Sequence, residues 1–311
     1  MKKAAHIPAA DDSSHYAVSE FTHELIDEVA QDNYSLRAWG TLLSRSWSRS
    51  LEDIRKSPER MRSTCWWVAI VAAIGAAIIL FTLRLQTPDR AITALAIWLP
   101  WYMGAVFFLI THIGMVDDEN GVPRQSLLLA NGLSFSRFGL SPLVIWPCLQ
   151  VPVAPATGPI FALFLTVLTL TDLLDGWVAR KQKHCTRMGR MLDVLADQAF
   201  LTFLAFGLYL AGIIPVSLLL LLIVRYPLLL IVVLVMFFVR GPTPLRPTLI
   251  GKLTTFATSI VLLVIAYQTL LSTSWPTPSS IEWAVRFLYL LIGVNMYYLV
   301  RWGVYWKKLR D

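Results

Sequence analysis

Four aspartates recur at fixed spacing in the stretch TDLLDGWVARKQKHCTRMGRMLDVLAD, residues 171–197. Asp172 and Asp175 lie three apart, Asp193 and Asp197 four apart, with Gly176, Ala179 and Gly189 interleaved. At about 100° per residue, Asp172, Asp175, Gly176 and Ala179 fall within an arc of roughly 100° on one helix. Gly189, Asp193 and Asp197 form a stripe down the next. Two neighbouring antiparallel helices would thus point four carboxylates at one another. Converging carboxylates repel, so cations or retained protons must accompany them. Ligands that are all oxygen suit hard divalent ions, Mg²⁺ or Mn²⁺, better than zinc, and a cluster able to hold two ions suits phosphoryl chemistry.

The elements that must carry these carboxylates are membrane helices. Of 311 residues, 56% are hydrophobic and 15% charged, and the mean hydropathy is +0.59. Crossing roughly 30 Å of hydrocarbon takes about 20 mainly apolar residues. Eight stretches qualify: 65–84, 92–116, 133–152, 159–178, 190–211, 214–239, 250–271 and 282–303. The expectation is an all-α, multi-pass integral membrane protein. An aspartate near the bilayer centre costs on the order of 2.5–3.5 kcal/mol, which makes four in register a functional feature more than a helix boundary.

Lysine and arginine bias sets the orientation. Arg180, Lys181, Lys183, Arg187 and Arg190 crowd one loop, Arg240, Arg246 and Lys252 another, and Arg301, Lys307, Lys308 and Arg310 the end of the chain. The alternate loops VPVAPATGP, AGIIP and STSWPTPSS carry no charge. The aspartates and both termini are therefore expected on the cytoplasmic side. The net charge of +7 reflects this bias and contact with anionic lipid; no aromatic-interleaved basic module suggests nucleic acid.

Residues 1–17 are small and polar and do not read as a signal peptide. Over 35–57, Leu36, Trp39, Leu43, Trp47, Leu51 and Ile54 are spaced for one helix face, with Arg37, Arg45, Arg49, Arg55 and Lys56 elsewhere. This predicts an amphipathic helix, lying on the leaflet or packed on a partner. Cys65, Cys148 and Cys185 form no disulfide or zinc pattern. His112 and His184 read as interfacial or solvated residues.

Taken together, Asp172-x-x-Asp175-Gly176-x-x-Ala179-Arg180, eight residues, then Gly189-x-x-x-Asp193-x-x-x-Asp197 resembles the signature of the CDP-alcohol phosphotransferases. Upstream, ANGLSFSR resembles that family's Asn-to-Arg stretch and supplies Asn131 and Arg137. The similarity covers about 125–305, which implies a six-helix catalytic membrane domain over 125–311. Two additional transmembrane helices over 64–124 and a polar, amphipathic arm over 1–63 would precede it. The resemblance implies two divalent ions on Asp172, Asp175, Asp193 and Asp197, with Asp197 also taking the proton of the acceptor hydroxyl. It implies nucleotide contacts at Asn131, Arg137 and Arg180, with room made by Gly176, Ala179 and Gly189. The implied partners are CDP-diacylglycerol, an alcohol acceptor, membrane lipid and a second copy of the chain in a homodimer.

LRPTLIGKLTT and IIPVSLLLLLIVRYP resemble stretches of the phosphatidylglycerophosphate synthase and CDP-diacylglycerol-type cardiolipin synthase branches. That makes Arg225 and Lys252 candidates for gripping an acceptor phosphate, with Arg187 and Arg246 behind them. Gln198, Tyr226 and Ala130 depart from the usual Lys, Asp and Pro of these branches. The expected acceptor is glycerol 3-phosphate, then phosphatidylglycerol, then inositol phosphate. The rival from another class is a non-catalytic membrane protein that binds ions or lipid.

Overall fold

The computed structural model describes residues 28–29, 31–32, 35–85, 88–117, 124–148, 158–182, 186–231, 249–271 and 278–310. We number the helices α1 Leu36–Lys56, α2 Pro58–Leu85, α3 Pro88–Thr111, α4 Leu129–Leu140, α5 Gly158–Gln182, α6 Arg187–Leu210, α7 Val216–Ile223, α8 Leu249–Leu271 and α9 Pro278–Arg310. Among the described residues, five helices are long and apolar enough to cross a membrane: α2, α3, α5, α6 and α8. The protein is a multi-pass, all-α integral membrane protein.

The outward faces supply the physical reason. On α5, Leu163, Val167, Leu170, Leu174 and Trp177 are exposed at alternating spacings of four and three. Leu249, Leu253, Phe256 and Ile260 do the same on α8, and Trp283, Phe287, Leu290 and Val294 on α9. Such stripes would be costly in water; facing lipid, they lose nothing. Each helix satisfies its own backbone, as hydrocarbon requires.

Two of the expected spans take another form. The stretch 133–152 is not one long helix: α4 ends at Leu140, a 3₁₀ turn follows over Ser141–Val144, and a single helical turn occupies Ile145–Cys148. Pro142 and Pro147 lack the N–H that a continuous α-helix needs there. In the stretch 214–239, α7 passes into a π-helical turn at Val224–Leu228 around Pro227. Residues 232–248 lie outside the described residues.

The chain divides into two compact units, one of residues 1–49 with 231–246, the other of 50–230 with 247–311. In the first, Val29, Ala38 and Leu42 pack together with Trp39, while Leu43 and Trp47 are exposed. The second holds the main core, centred on α4, which packs most extensively against α6 and α5. Small residues let α2 approach α4 as well. A Cβ at Gly132 would fall 1.9 Å from the Trp67 ring of α2, and one at Gly139 would lie 3.1 Å from Val71. Trp98 of α3 donates through its indole N–H to the Gly139 carbonyl at 3.0 Å, and Trp101 to that of Phe138 at 2.8 Å. These bonds satisfy acceptors that the end of α4 leaves open.

Candidate active site

The two motif helices bring Asp172 of α5 together with Asp193 and Asp197 of α6. α4 packs on both α5 and α6, and it contributes Asn131, Ser134 and Arg137 from one face, three residues apart. α4 thus adds a third wall that the expectation of two facing helices did not include.

Arg137 sits at the centre with its side chain 2% exposed. Its Nη1 pairs with Asp172 Oδ1. Its Nη2 lies 2.9 Å from Asp193 Oδ1 and 2.8 Å from Asp197 Oδ1. The three carboxylates offer oxygens within 4.8 Å of one another, and their side chains remain 42% to 48% exposed. One guanidinium faces four carboxyl groups, so the set can accept further positive charge. A hard divalent cation fits this set: the donors are oxygens, close together, and reachable. Asp175 is arranged differently. It is buried, and its Oδ2 accepts a 2.7 Å hydrogen bond from Ser134 Oγ.

The start of α6 is fixed by its cap. Thr186 accepts from the Gly189 N–H at 2.9 Å and donates to Asn131 Oδ1 at 3.0 Å. A Cβ on Gly189 would fall 2.5 Å from Asn131 Oδ1. The room that Gly189 leaves is therefore taken by Asn131, so this glycine admits α4 rather than opening directly onto a ligand. Gly176 is half-buried. The side chains of Ala179 and Arg180 lie outside the described residues, as does Arg246.

Among the described residues, neither Arg225 nor Lys252 is bonded to the carboxylates. Lys252 is exposed on the first turn of α8. Arg225 is buried on the π-helical turn, its guanidinium 5.5 Å from the Tyr226 ring centre. Arg187 is engaged by Asp117, Nε to Oδ1 at 2.9 Å and Nη2 to Oδ2. Ser134, Thr186 and Asp117 are residues that sequence reasoning passed over.

This polar cluster lies within the region over which the chain resembles known proteins. The family model for CDP-alcohol phosphatidyltransferase matches residues 127–296. The chain belongs to that family. The CDP-alcohol phosphatidyltransferases are divalent-metal dependent in general, in keeping with the carboxylate cluster. Among curated relatives, a CDP-diacylglycerol--glycerol-3-phosphate 3-phosphatidyltransferase of Aquifex aeolicus is 42% identical over 73 residues, 24% of this chain and 38% of the relative. A cardiolipin synthase (CMP-forming) of Streptomyces coelicolor is 31% identical over 142 residues, 45% of this chain and 66% of the relative. The cardiolipin synthase (CMP-forming) of Homo sapiens is 33% identical over 143 residues, 41% and 46% respectively. The chain thus spans between 38% and 66% of the length of these relatives. No solved structure matches the chain significantly.

Proposed function

We propose that this CDP-alcohol phosphatidyltransferase moves a phosphatidyl group from CDP-diacylglycerol to an alcohol acceptor, with release of CMP, as a step of phospholipid synthesis. The observation that carries the reading is the convergence of Asp172, Asp193 and Asp197 around the buried Arg137. The catalytic domain is residues 125–311, and 1–124 are an arm and two added spans.

Asp172, Asp175, Asp193 and Asp197 would hold two divalent ions, Mg²⁺ or Mn²⁺, whose chemistry when bound is charge stabilisation of the pyrophosphate and of the departing CMP. Asp197 takes the proton of the acceptor hydroxyl as its oxygen attacks the β-phosphorus. The new P–O bond forms on the acceptor, and the P–O bond to CMP breaks with its electron pair leaving on CMP. Asn131, Arg137 and Arg180 contact the nucleotide, with Gly176 and Ala179 leaving room and Gly189 acting through Asn131. The exposed apolar stripe of α5 lets the acyl chains stay in lipid. Arg225 and Lys252 are the acceptor-phosphate candidates. The active site and both termini face the cytoplasm, α1 lies on that leaflet with Leu43 and Trp47 outward, and the protein works as a homodimer.

Glycerol 3-phosphate is the first acceptor, in line with the Aquifex relative; the two cardiolipin synthase relatives favour phosphatidylglycerol as the second. The test is CMP release by purified protein from CDP-diacylglycerol with Mg²⁺ or Mn²⁺, using glycerol 3-phosphate, phosphatidylglycerol and inositol phosphate in parallel, with lipid products read by mass spectrometry. A folded, Mn²⁺-binding protein that releases no CMP with any of these acceptors would end this reading and leave the ion- or lipid-binding one.

A further inference from the structure

One charged contact to α6 comes from outside the region that the family matches. Asp117 follows α3 and is 4% exposed. Both its oxygens are taken by Arg187, the first residue of α6. A two-pronged guanidinium–carboxylate contact fixes orientation as well as distance. A carboxylate at a helix N-terminus also opposes the positive end of the dipole.

Asp117 is itself held in place. The Arg124 N–H donates to the Val116 carbonyl at 2.9 Å, next to Asp117. Arg60, buried in the first turn of α2, donates to the Arg124 carbonyl at 2.8 Å and to that of Ile113 at 3.3 Å. Ser63, on the next turn, accepts from the Leu127 N–H at 2.7 Å. A connected path therefore runs from α2 through the segment around Asp117 to Arg187 and the first turn of α6. Asp193 lies six residues further along that helix, on the order of 9 Å up its axis. Because Thr186 caps α6 independently, loss of the Asp117 contact should loosen the placement of the helix without abolishing it.

We propose that Asp117 is a positioning residue for the transfer reaction: by gripping Arg187 it sets where α6 begins, and so keeps Asp193 and Asp197 in register with Asp172. The added amino-terminal helices are on this account a brace for the active site. The same grip takes Arg187 away from the acceptor. The catalytic half of the proposal rests on the function proposed above; the structural half does not.

The full-length protein in lipid nanodiscs should be compared with Asp117→Ala, Asp117→Asn, Arg187→Ala, Arg187→Lys and the Asp117→Ala/Arg187→Ala double variant. Asp117→Asn keeps the side-chain shape and guards against a variant that does not fold. Three quantities are read: Mn²⁺ affinity by electron paramagnetic resonance, hydrogen exchange of the first turn of α6, and kcat and KM for CMP release. Asp117→Ala should weaken Mn²⁺ binding by roughly tenfold, the range for residues that orient metal ligands. It should also speed exchange over 187–192 and lower kcat with little change in acceptor KM. The double variant should be no worse than either single one, and Arg187→Lys should recover part of the affinity. Unchanged Mn²⁺ affinity and exchange in folded Asp117→Ala and Asp117→Asn would overturn the proposal. So would strictly additive effects, or a rise in acceptor KM confined to the Arg187 variants. If the protein forms no CMP with any acceptor, Mn²⁺ affinity and exchange still decide whether the brace exists.

Discussion

The two faces of α4 do opposite kinds of work. One presents Ser134 and Arg137 to the aspartates and Asn131 to the Thr186 cap of α6, through specific hydrogen bonds and ion pairs. The other presents Gly132 and Gly139 to α2, with Trp98 and Trp101 of α3 capping its last carbonyls. The first face depends on charge and donor identity, the second on shape. Twelve residues of helix therefore couple the added spans to the carboxylates, and the two faces should fail in different ways when altered.

The largest effect is expected on the charged side. Asp197→Asn keeps the volume of the side chain but removes a base and an ionic ligand. Loss of a general base costs about 10²–10⁴ in rate, and weaker ion binding adds to it, so CMP release should fall by at least about a thousandfold with the thermal midpoint little changed. A variant that retained a tenth of the activity would show that the proton goes elsewhere. This outcome would break the assignment of the polar face as catalytic.

Next comes the shape-dependent face. Gly132→Ala places a methyl group where the Trp67 ring stands, 1.9 Å from the Cβ position. Overpacking of a tight contact costs about 1–3 kcal/mol. The expected result is a clear drop in detergent-resistant stability, accompanied by loss of activity in proportion to the unfolded fraction. Unaltered stability would mean that α2 does not press on α4.

A middle-sized effect separates positioning from ligation. Ser134→Ala removes the 2.7 Å hydrogen bond to Asp175 while leaving all four carboxylates. Outer partners of metal ligands typically account for 10–100-fold in affinity; here about tenfold weaker Mn²⁺ binding is expected, and Ser134→Thr should restore much of it. Equal binding in Ser134→Ala would place Asp175 outside the ion site.

How much of this could be read in the sequence follows the same division. The aspartates were legible because their chemistry demands that residue type at helical spacing, whereas Asn131 and Arg137 were supplied only by the family resemblance of ANGLSFSR. Thr186 had a readable signal, a Thr at the residue before an apolar helix, three before Gly189, which is where an N-cap belongs. Ser134 had only its place midway between Asn131 and Arg137. Asp117 had none, since its partner lies 70 residues away and a short acidic run after an apolar helix predicts nothing by itself. The break after Leu140 was written in Pro142 and Pro147, but hydropathy alone treats 133–152 as one span. The packing of α4 on both motif helices was not legible, because periodicity gives the face of a helix and not the neighbour that covers it.

The smallest predicted effect sharpens the comparison most directly. Gly104 lies on α3, as helical as Gly132, but a Cβ there meets nothing within 4 Å. In an open position Gly costs a helix roughly 0.5–1 kcal/mol relative to Ala, through backbone entropy. Gly104→Ala should therefore leave stability unchanged or raise it by up to about 1 kcal/mol, the opposite sign to Gly132→Ala, with no change in Mn²⁺ affinity. Thermal unfolding of the two variants side by side in one lipid composition reads both signs at once. If both destabilise equally, the cost belongs to glycine-to-alanine exchange in these helices generally; if only Gly132→Ala does, it belongs to the contact with Trp67.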